Sequence, residues 1–576
     1  MLRNGHWLRS NHATRIPIHH IFLATDCREL HGEPGQYVLE TATIRQAHWS
    51  GGRLWHTRTN VWVDPDMVWT DIATSLPCRG TCWLWCIDPR WDLVMSMFWS
   101  RADSGRFARR YWCWNDPPII VSGDMAGRRI KIVSLGNWAP DAQARICRAL
   151  PLLHPDPAHL SGKATAKMDI SGLRCASLMW TVSRILGLVE REDIGCLRAT
   201  FGAQALQSYR HKNLHGLVGI HNNDAATRLE REVPLGTPVQ APAGKVTHRD
   251  VTILDCNALY PYVMGAYPYP RRLERVVTSI DVERLREASQ VALIIARVWL
   301  RPSPRMWCVM RDGRALYEQA PPSAVLAGQD LCAALDSDLV AHCELAALYE
   351  PAGLFTAWSE WALGMRERYR DSKSQVDREI VKATVNALWG RFAARQEYWQ
   401  PYAAVQAPTP FGVFYHTAAR QPAPILCRAI AGQVERLVER CETDESFAAI
   451  SAMVAVNARC HMDRLCAVAG PGNVLYRVAD AIHVNAAGLH ALGGAGFIHQ
   501  RTPGLLKVVR QVQQITYHGR NVFVADGEIT RAGVSGGAVM AADGRLVWPE
   551  VDRCSQIVMH GASGRVRVRY RSAEPI

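Results

Sequence analysis

Two aspartates and one helix face carry the residue types and spacing that could do chemistry. Asp255 closes the apolar run VTIL in VTILDCNALYPYVM, and Asp480 sits between two β-rich runs in VLYRVADAIHV. A carboxylate at a strand end can reach a metal ion while the strand fixes its backbone. Taken singly, each also reads as an ordinary turn or cap residue. The third feature is REIVKATVNALWGRF, Arg378 to Phe392. At about 100° per residue, Arg378, Lys382, Asn386 and Trp389 fall within about 80° of one another, so two cations, an amide and a ring share one helix face. Such a face can hold a triphosphate and stack on a base; it also fits a solvated helix with one aromatic at its boundary. Gly390, directly after the ring, lets another backbone or a nucleic-acid strand approach closely.

Positioning these groups takes strands for the aspartates and a helical pair for the cations. The run before Asp255 predicts a strand leading into a helix. Val474–Tyr476 and Ile482–Val484 predict a hairpin with Asp480 at its tip. Between Phe355 and Arg395 there is no proline, and the polar break DSKSQ predicts two helices. Upstream, short apolar runs such as HIFLAT and IKIVSL precede a helical stretch around Ile170–Leu188, a mixed α/β pattern. The punctuated stretch VPLGTPVQAPAGK, Val233 to Lys245, reads as a linker or ordered loop.

At 576 residues the chain exceeds one hydrophobic core. A net charge of +13 suits a polyanionic partner or simple solubility. The absence of a long apolar run or an apolar h-region predicts a cytoplasmic, non-membrane protein, monomeric, with a basic amino-terminal arm preferred to a mitochondrial transit peptide. Seventeen cysteines without a secretory signal are expected to be reduced thiols. Cys78, Cys82 and Cys86 lack a paired zinc spacing and are read as buried thiols among tryptophans.

Taken in order, the three segments resemble motifs A, B and C of family B DNA polymerases, in particular the compact protein-primed, organellar and viral branch. Motif A, D-x2-S-L-Y-P, meets Asp255-Cys-Asn-Ala-Leu-Tyr-Pro261; motif B, K-x3-N-S-x-Y-G, meets Lys382-Ala-Thr-Val-Asn386-Ala-Leu-Trp389-Gly390; motif C, Y-x-D-T-D-S, meets Tyr476-Arg-Val-Ala-Asp480-Ala. QQITY, Gln513 to Tyr517, resembles the thumb-side K-x-Y with Ile515 in place of the lysine.

The resemblance implies an α/β multi-domain chain: an RNase H-like exonuclease-type domain at 1–235, palm with motif A and an insertion at 236–354, fingers at 355–395, palm with motif C and a second insertion at 396–500, and thumb at 501–576. It implies template-directed transfer from dNTPs to a primer 3′-hydroxyl, with two Mg²⁺ or Mn²⁺ ions held by Asp255 and Asp480, assisted by the Cys256 carbonyl. Tyr260 would exclude a 2′-hydroxyl, and Arg370 and Lys382 would neutralise the triphosphate. Asn386 and Trp389 would pack near the nascent base pair, while Gly390, Arg391 and Tyr517 would face the DNA. The partners implied are a DNA primer-template, dNTPs and, in the protein-primed branch, a terminal protein. Residues around Val291–Leu354 are the candidate for the first insertion.

The departures weaken these expectations in specific places. Val478 replaces the first carboxylate of D-T-D, and Ala258, Ala479 and Ala481 remove hydroxyls, so slow or specialised synthesis is expected. A non-catalytic nucleic-acid-binding or scaffold protein, or a primase or terminal transferase on the same fold, would carry the same pattern.

The exonuclease motifs depart further. ATDCRE resembles D-x-E and supplies Asp26; Ile87–Asp92 resembles the second motif and supplies Asp88 and Asp92. Strand alternation puts Arg28 on the face of Asp26 and turns Glu29 away. LRCASLMW resembles the third region with Arg174 and Leu178 at its key positions, so no proofreading is expected.

Overall fold

The computed structural model of the protein describes residues 4–29, 36–89, 92–93, 107–114, 119–140, 143, 170–405, 411–416, 424–430, 433–519, 522–531, 539–540, 546–549, 557–560, 565–568 and 570–573.

The amino-terminal unit is built on β1 (His19–Glu29), β2 (Gln36–Ser50), β3 (Arg53–Trp62), β4 (Thr81–Cys86), β5 (Phe107–Trp114), β6 (Ile119–Met125) and β7 (Arg128–Ser134). They run in the order β3-β2-β1-β4-β7-β6-β5. β1, β2 and β3 pair antiparallel, whereas β4 is parallel to both β1 and β7. Helices cover both faces, as a partly parallel sheet requires. α1 (Pro65–Ser75) starts on an Asp64 cap followed by proline, and it buries Val68 and Ile72 on one face. α2 (Ile170–Arg191) packs Cys175, Leu178, Val182 and Ile185 on the other. Cys82 and Cys86 are buried free thiols as expected, whereas Cys78, just before β4, is exposed rather than buried.

The central sheet has the order β17-β18-β8-β19-β20-β21. It comprises β8 (Val246–Cys256), β17 (Val474–Val478), β18 (Ala481–Val484), β19 (Leu506–Gly519), β20 (Val522–Ala525) and β21 (Glu528–Arg531). β19, which the boundary at 501 assigned to the thumb, therefore shares the sheet that carries Asp255. The 233–245 stretch is an ordered loop: Gln240 and Arg477 exchange backbone hydrogen bonds of 3.0 and 2.9 Å.

After β8 come α3 (Leu259–Ala266) and an antiparallel sheet of order β9-β12-β10-β11, formed by β9 (Tyr269–Ile280), β10 (Leu293–Leu300), β11 (Ser323–Ala327) and β12 (Val340–Ala352), with α4 (Gly328–Asp336) packed on it. The expected first insertion is thus part of a sheet that begins earlier, at Tyr269. The predicted helical pair is α5 (Thr356–Arg370) and α6 (Gln375–Phe392), the latter capped by Ser374 Oγ accepting from the Asp377 amide at 3.2 Å. A second antiparallel sheet, order β13-β16-β15-β14, follows: β13 (Arg395–Pro401), β14 (Phe411–His416), β15 (Ile425–Ile430) and β16 (Gln433–Glu442).

α7 (Ala448–Ala469) is rich in alanine and valine and is buried around most of its circumference, the expected fate of a helix apolar on all sides. It packs against α3, α4 and α6 and ties both halves of the central region into one core.

Candidate active site

Strand pairing brings the two aspartates together across more than two hundred residues of sequence. β8 pairs with β18 so that Asp255 lies opposite Ala481, and the Cys256 amide donates to the Asp480 carbonyl at 2.8 Å. Asp480 sits at the hairpin tip between β17 and β18, where Val478 pairs with Ala481. The two-residue turn puts Ala479 at φ 49°, in the left-handed region that suits glycine or asparagine. Ala258, which precedes α3, is also left-handed, at φ 48°. Its loop is anchored by two bonds: the Asn257 amide donates to the Leu505 carbonyl at 2.9 Å, and Asn257 Nδ2 donates to the His499 carbonyl at 2.9 Å. Gly504, at φ +78°, closes the same contact, where a Cβ would run into the Tyr262 ring.

The electrostatics follow from that proximity. Burial and the Asp255 charge push the Asp480 carboxyl above its ordinary value, opposed by Lys507 and Lys382. Lys507, directly across from Asp255 on β19, places Nζ 2.5 Å from Asp255 Oδ2. Burial pushes the Cys256 thiol up to about 12, with both aspartates reinforcing it. The thiol is therefore protonated, and any metal contact from this residue would come from its carbonyl.

A cavity of about 390 Å³ opens beside Asn257 and Ala258 and is lined by Arg366, Arg370 and Arg501. Glu367 holds two of these, bonding Arg370 at 2.7 Å and approaching Arg501 at 3.6 Å. Arg366 is half-buried within the field of Asp255 and Asp480. Lys382 is exposed on α6, whose opposite face buries Ile380, Val381, Val385 and Leu388. Tyr260 and Trp389 stack with ring centroids 4.7 Å apart and an interplanar angle of 18°, joining α3 to α6. Asn386 Oδ1 is buried without a hydrogen-bond partner. A side chain added at Gly390 would meet nothing within 4 Å.

Of the residues carried over as DNA contacts, Tyr517 is placed differently. Tyr517 is fully buried, stacked on Tyr476 at 5.2 Å, with its hydroxyl 2.9 Å from His483 Nδ1, so it offers no surface to a duplex. Arg391 is bound to Glu445 at 2.8 Å, and Arg210 grips the same carboxylate at 2.8 Å.

Sequence reasoning missed Arg366, Arg501 and Lys507. Arg366 lies one helical turn before Arg370, a spacing that could have revealed it. The other two depend on pairings that no local pattern reports.

In the amino-terminal unit, Asp92 is buried and accepts from the Thr25 amide at 3.1 Å, Thr25 Oγ1 at 2.9 Å and the Asp88 amide at 3.1 Å. Burial pushes its carboxyl up to about 7. Arg174 Nη1 donates to the Thr25 carbonyl at 2.9 Å, and its charge acts on Asp92. Among the described residues, Arg174 supplies a guanidinium at this place. The pairing of β1 with β2 shifts between Asp26 and Cys27, where Glu40 of β2 is the extra residue, so β1 itself runs on through Arg28 and Glu29 with no inserted residue. The side chains of those two residues lie outside the described ones.

Among the described residues, no three or more His, Cys, Asp or Glu side chains gather to hold a metal ion. The donor set at the central site is two carboxylates and one carbonyl. Hard oxygen donors that already draw an ammonium to within 2.5 Å fit a hard divalent cation that fills its remaining positions with water and substrate phosphate.

The central sheet, the helical pair and the flanking strands form a multidomain α/β fold with the palm, fingers and thumb arrangement of a right-hand polymerase. The chain is similar to Phi29 DNA polymerase complexed with primer-template DNA and incoming nucleotide, at a TM-score of 0.63 and 12% identity over 97% of this chain and 100% of that one. The binary complex of the same enzyme with primer-template DNA gives 0.61 and 11% over 97% and 100%. Its complex with single-stranded DNA gives 0.58 and 12% over 90% and 93%. No family profile matches the sequence, and no curated protein matches it.

Proposed function

We infer that the protein is a template-directed DNA polymerase that transfers nucleotides from dNTPs to a primer 3′-hydroxyl. The observation that carries this reading is the convergence of Asp255 and Asp480 on one sheet edge, beside an arginine-lined cavity and a stacked Tyr260–Trp389 pair. Similarity to Phi29 DNA polymerase bound to primer-template and nucleotide supports the same assignment of faces.

On this reading Arg366, Arg370, Arg501 and Lys382 bind the triphosphate through charge-assisted hydrogen bonds. Tyr260, held flat by Trp389, packs under the sugar and leaves no room for a 2′-hydroxyl. Asn386 Oδ1, buried and unpaired in the protein, awaits a donor from the nascent pair. The primer hydroxyl attacks the α-phosphorus in line and pyrophosphate leaves toward the arginines. Asp255 and Asp480 would hold Mg²⁺ or Mn²⁺, which when bound lowers the hydroxyl pKa and neutralises the leaving group.

The amino-terminal strand order, three antiparallel strands followed by two parallel ones, supports an RNase H-like unit. Asp92 there is consumed by structural hydrogen bonds beside Arg174, so this unit does not proofread. A DNA primer end or a terminal-protein hydroxyl as the acceptor and a cytoplasmic site of action complete the proposal.

The test is extension of a labelled primer-template with Mg²⁺ or Mn²⁺, beside Asp255→Ala and Asp480→Ala. Template-matched extension lost in both variants is expected. Retained DNA binding with no extension under either metal would instead assign a binding or scaffold role.

A further inference from the structure

Lys507 is bound to Asp255 by its place in the sheet as well as by its charge. The β8–β19 register sets the two residues directly opposite each other, and the ammonium lies 2.5 Å from Oδ2. A surface lysine would trade such a contact against side-chain entropy. Here strand pairing has already brought the two backbones together, so only the rotamer is left to order.

The charge balance is the second observation. Lys507 and Lys382 both act on Asp480, and Arg366 lies in the field of both aspartates. Three fixed cations thus face two carboxylates before any metal or nucleotide arrives. Val478, at the position where motif C has another carboxylate, adds no negative charge and packs toward the Tyr476–Tyr517 cluster. A pair of divalent ions would bring four positive charges to a site whose fixed groups already exceed neutrality, and like charges at such distances repel, less steeply where water reaches them.

We propose that Lys507 takes the place of one of the two catalytic cations, so that Asp255 and Asp480 hold a single divalent ion and the Lys507 ammonium supplies the neighbouring positive charge. This rests on the polymerase reading of the same site and changes its metal requirement. Lys507 is accordingly a positioning residue: it orients the Asp255 carboxylate and sets how much further charge the pair can accept.

The test is a titration of the full chain with Mn²⁺ alone, following the free-ion electron paramagnetic resonance signal. Wild type is compared with Asp255→Asn, Lys507→Met and Lys507→Arg, each checked by circular dichroism. Asp255→Asn is expected to remove one bound ion, Lys507→Met to tighten that ion by about ten-fold or more, and Lys507→Arg to leave it within about two-fold. Should Lys507→Met not fold, Lys507→Gln carries the same comparison. Two ions removed by Asp255→Asn, or no tightening on loss of the ammonium, overturns the proposal. So does an ion count that Asp255→Asn leaves unchanged. Primer extension decides the polymerase reading separately: two ions with template-matched extension would refute the role of Lys507 and leave that reading intact.

Discussion

Removing the ring of Trp389 should free Tyr260 and loosen discrimination against ribonucleotides. The two rings lie 4.7 Å apart at 18°, and both are only half-buried. An offset stack of this kind contributes about 0.5–1.5 kcal/mol beyond the area it covers. A middle value of about 1 kcal/mol corresponds to about five-fold in a rate ratio. Truncating Trp389 also exposes apolar surface, so a single variant mixes packing with stacking. A double-mutant cycle separates them. The assay is single-nucleotide primer extension, giving kcat/KM for a dNTP and its ribonucleotide counterpart in wild type, Trp389→Leu, Tyr260→Leu and the double variant. Each single change is expected to lower discrimination, and the double variant to lose about five-fold less than the product of the two. Tyr260→Phe keeps the ring and should keep the coupling to Trp389. Strictly multiplicative effects would show that the rings act independently and would refute the claim that α6 braces Tyr260.

The amino-terminal unit should steady the fingers through Arg184, which grips Asp377 with Nε at 2.9 Å and again with Nη2. Asp377 is 2% exposed and Arg184 35%, so the cost of about 3–5 kcal/mol for breaking a buried pair is discounted to about 2 kcal/mol. Arg184→Ala should therefore speed hydrogen exchange at the start of α6 by about thirty-fold, and adding Asp377→Asn should restore much of the protection; unchanged exchange would refute the link. Burial lowers the His483 imidazole to about 4 from 6.5, so the unfolded chain binds this proton first as the pH falls. That contributes about 3 kcal/mol of stability, present above about 6.5 and lost as the pH falls toward about 4. Acid unfolding of the β17–β18 hairpin should follow that window in wild type and not in His483→Phe; identical acid profiles would contradict it. The amino-terminal unit should show no Mg²⁺-dependent 3′–5′ digestion, and digestion abolished by Asp92→Ala would overturn that expectation.

Local chemistry made much of the frame legible. The strand ending at Asp255, the hairpin tip at Asp480 and the two helices split at DSKSQ all follow from patterns of a few residues. The face bearing Lys382, Asn386 and Trp389 likewise follows from helical spacing, because α6 buries the other side. What escaped depends on partners distant in sequence. Lys507 reaches Asp255 only through the register of β8 with β19, and Arg501 reaches the cavity only because Asn257 pins the 499–505 loop. Tyr517 shows the limit of carrying a motif over: with Ile515 in place of a lysine, its strand turns that tyrosine into the core of the sheet.

The two acidic sites of the chain part ways for a physical reason that neither composition nor motif count conveys. Asp92 sits in an apolar setting where only hydrogen bonds can keep a carboxylate, and three donors from Thr25 and Asp88 supply them. Its oxygens are turned inward to hold the end of β1 against the residues after β4, and the nearby Arg174 adds positive charge where a metal would need the opposite. Asp255 and Asp480 remain half-exposed at the end of a sheet, next to a cavity lined with arginines, and Asp255 is held by an ammonium. Two nearby carboxylates repel each other and cost stability unless charge offsets them. Two carboxylates flanked by cations that offset their repulsion suit the proposed binding of a divalent cation and a triphosphate. The Mn²⁺ titration therefore bears on more than stoichiometry: an ion that answers to both Asp255 and Lys507 would show that the central site binds a divalent cation, whatever the primer proves to be.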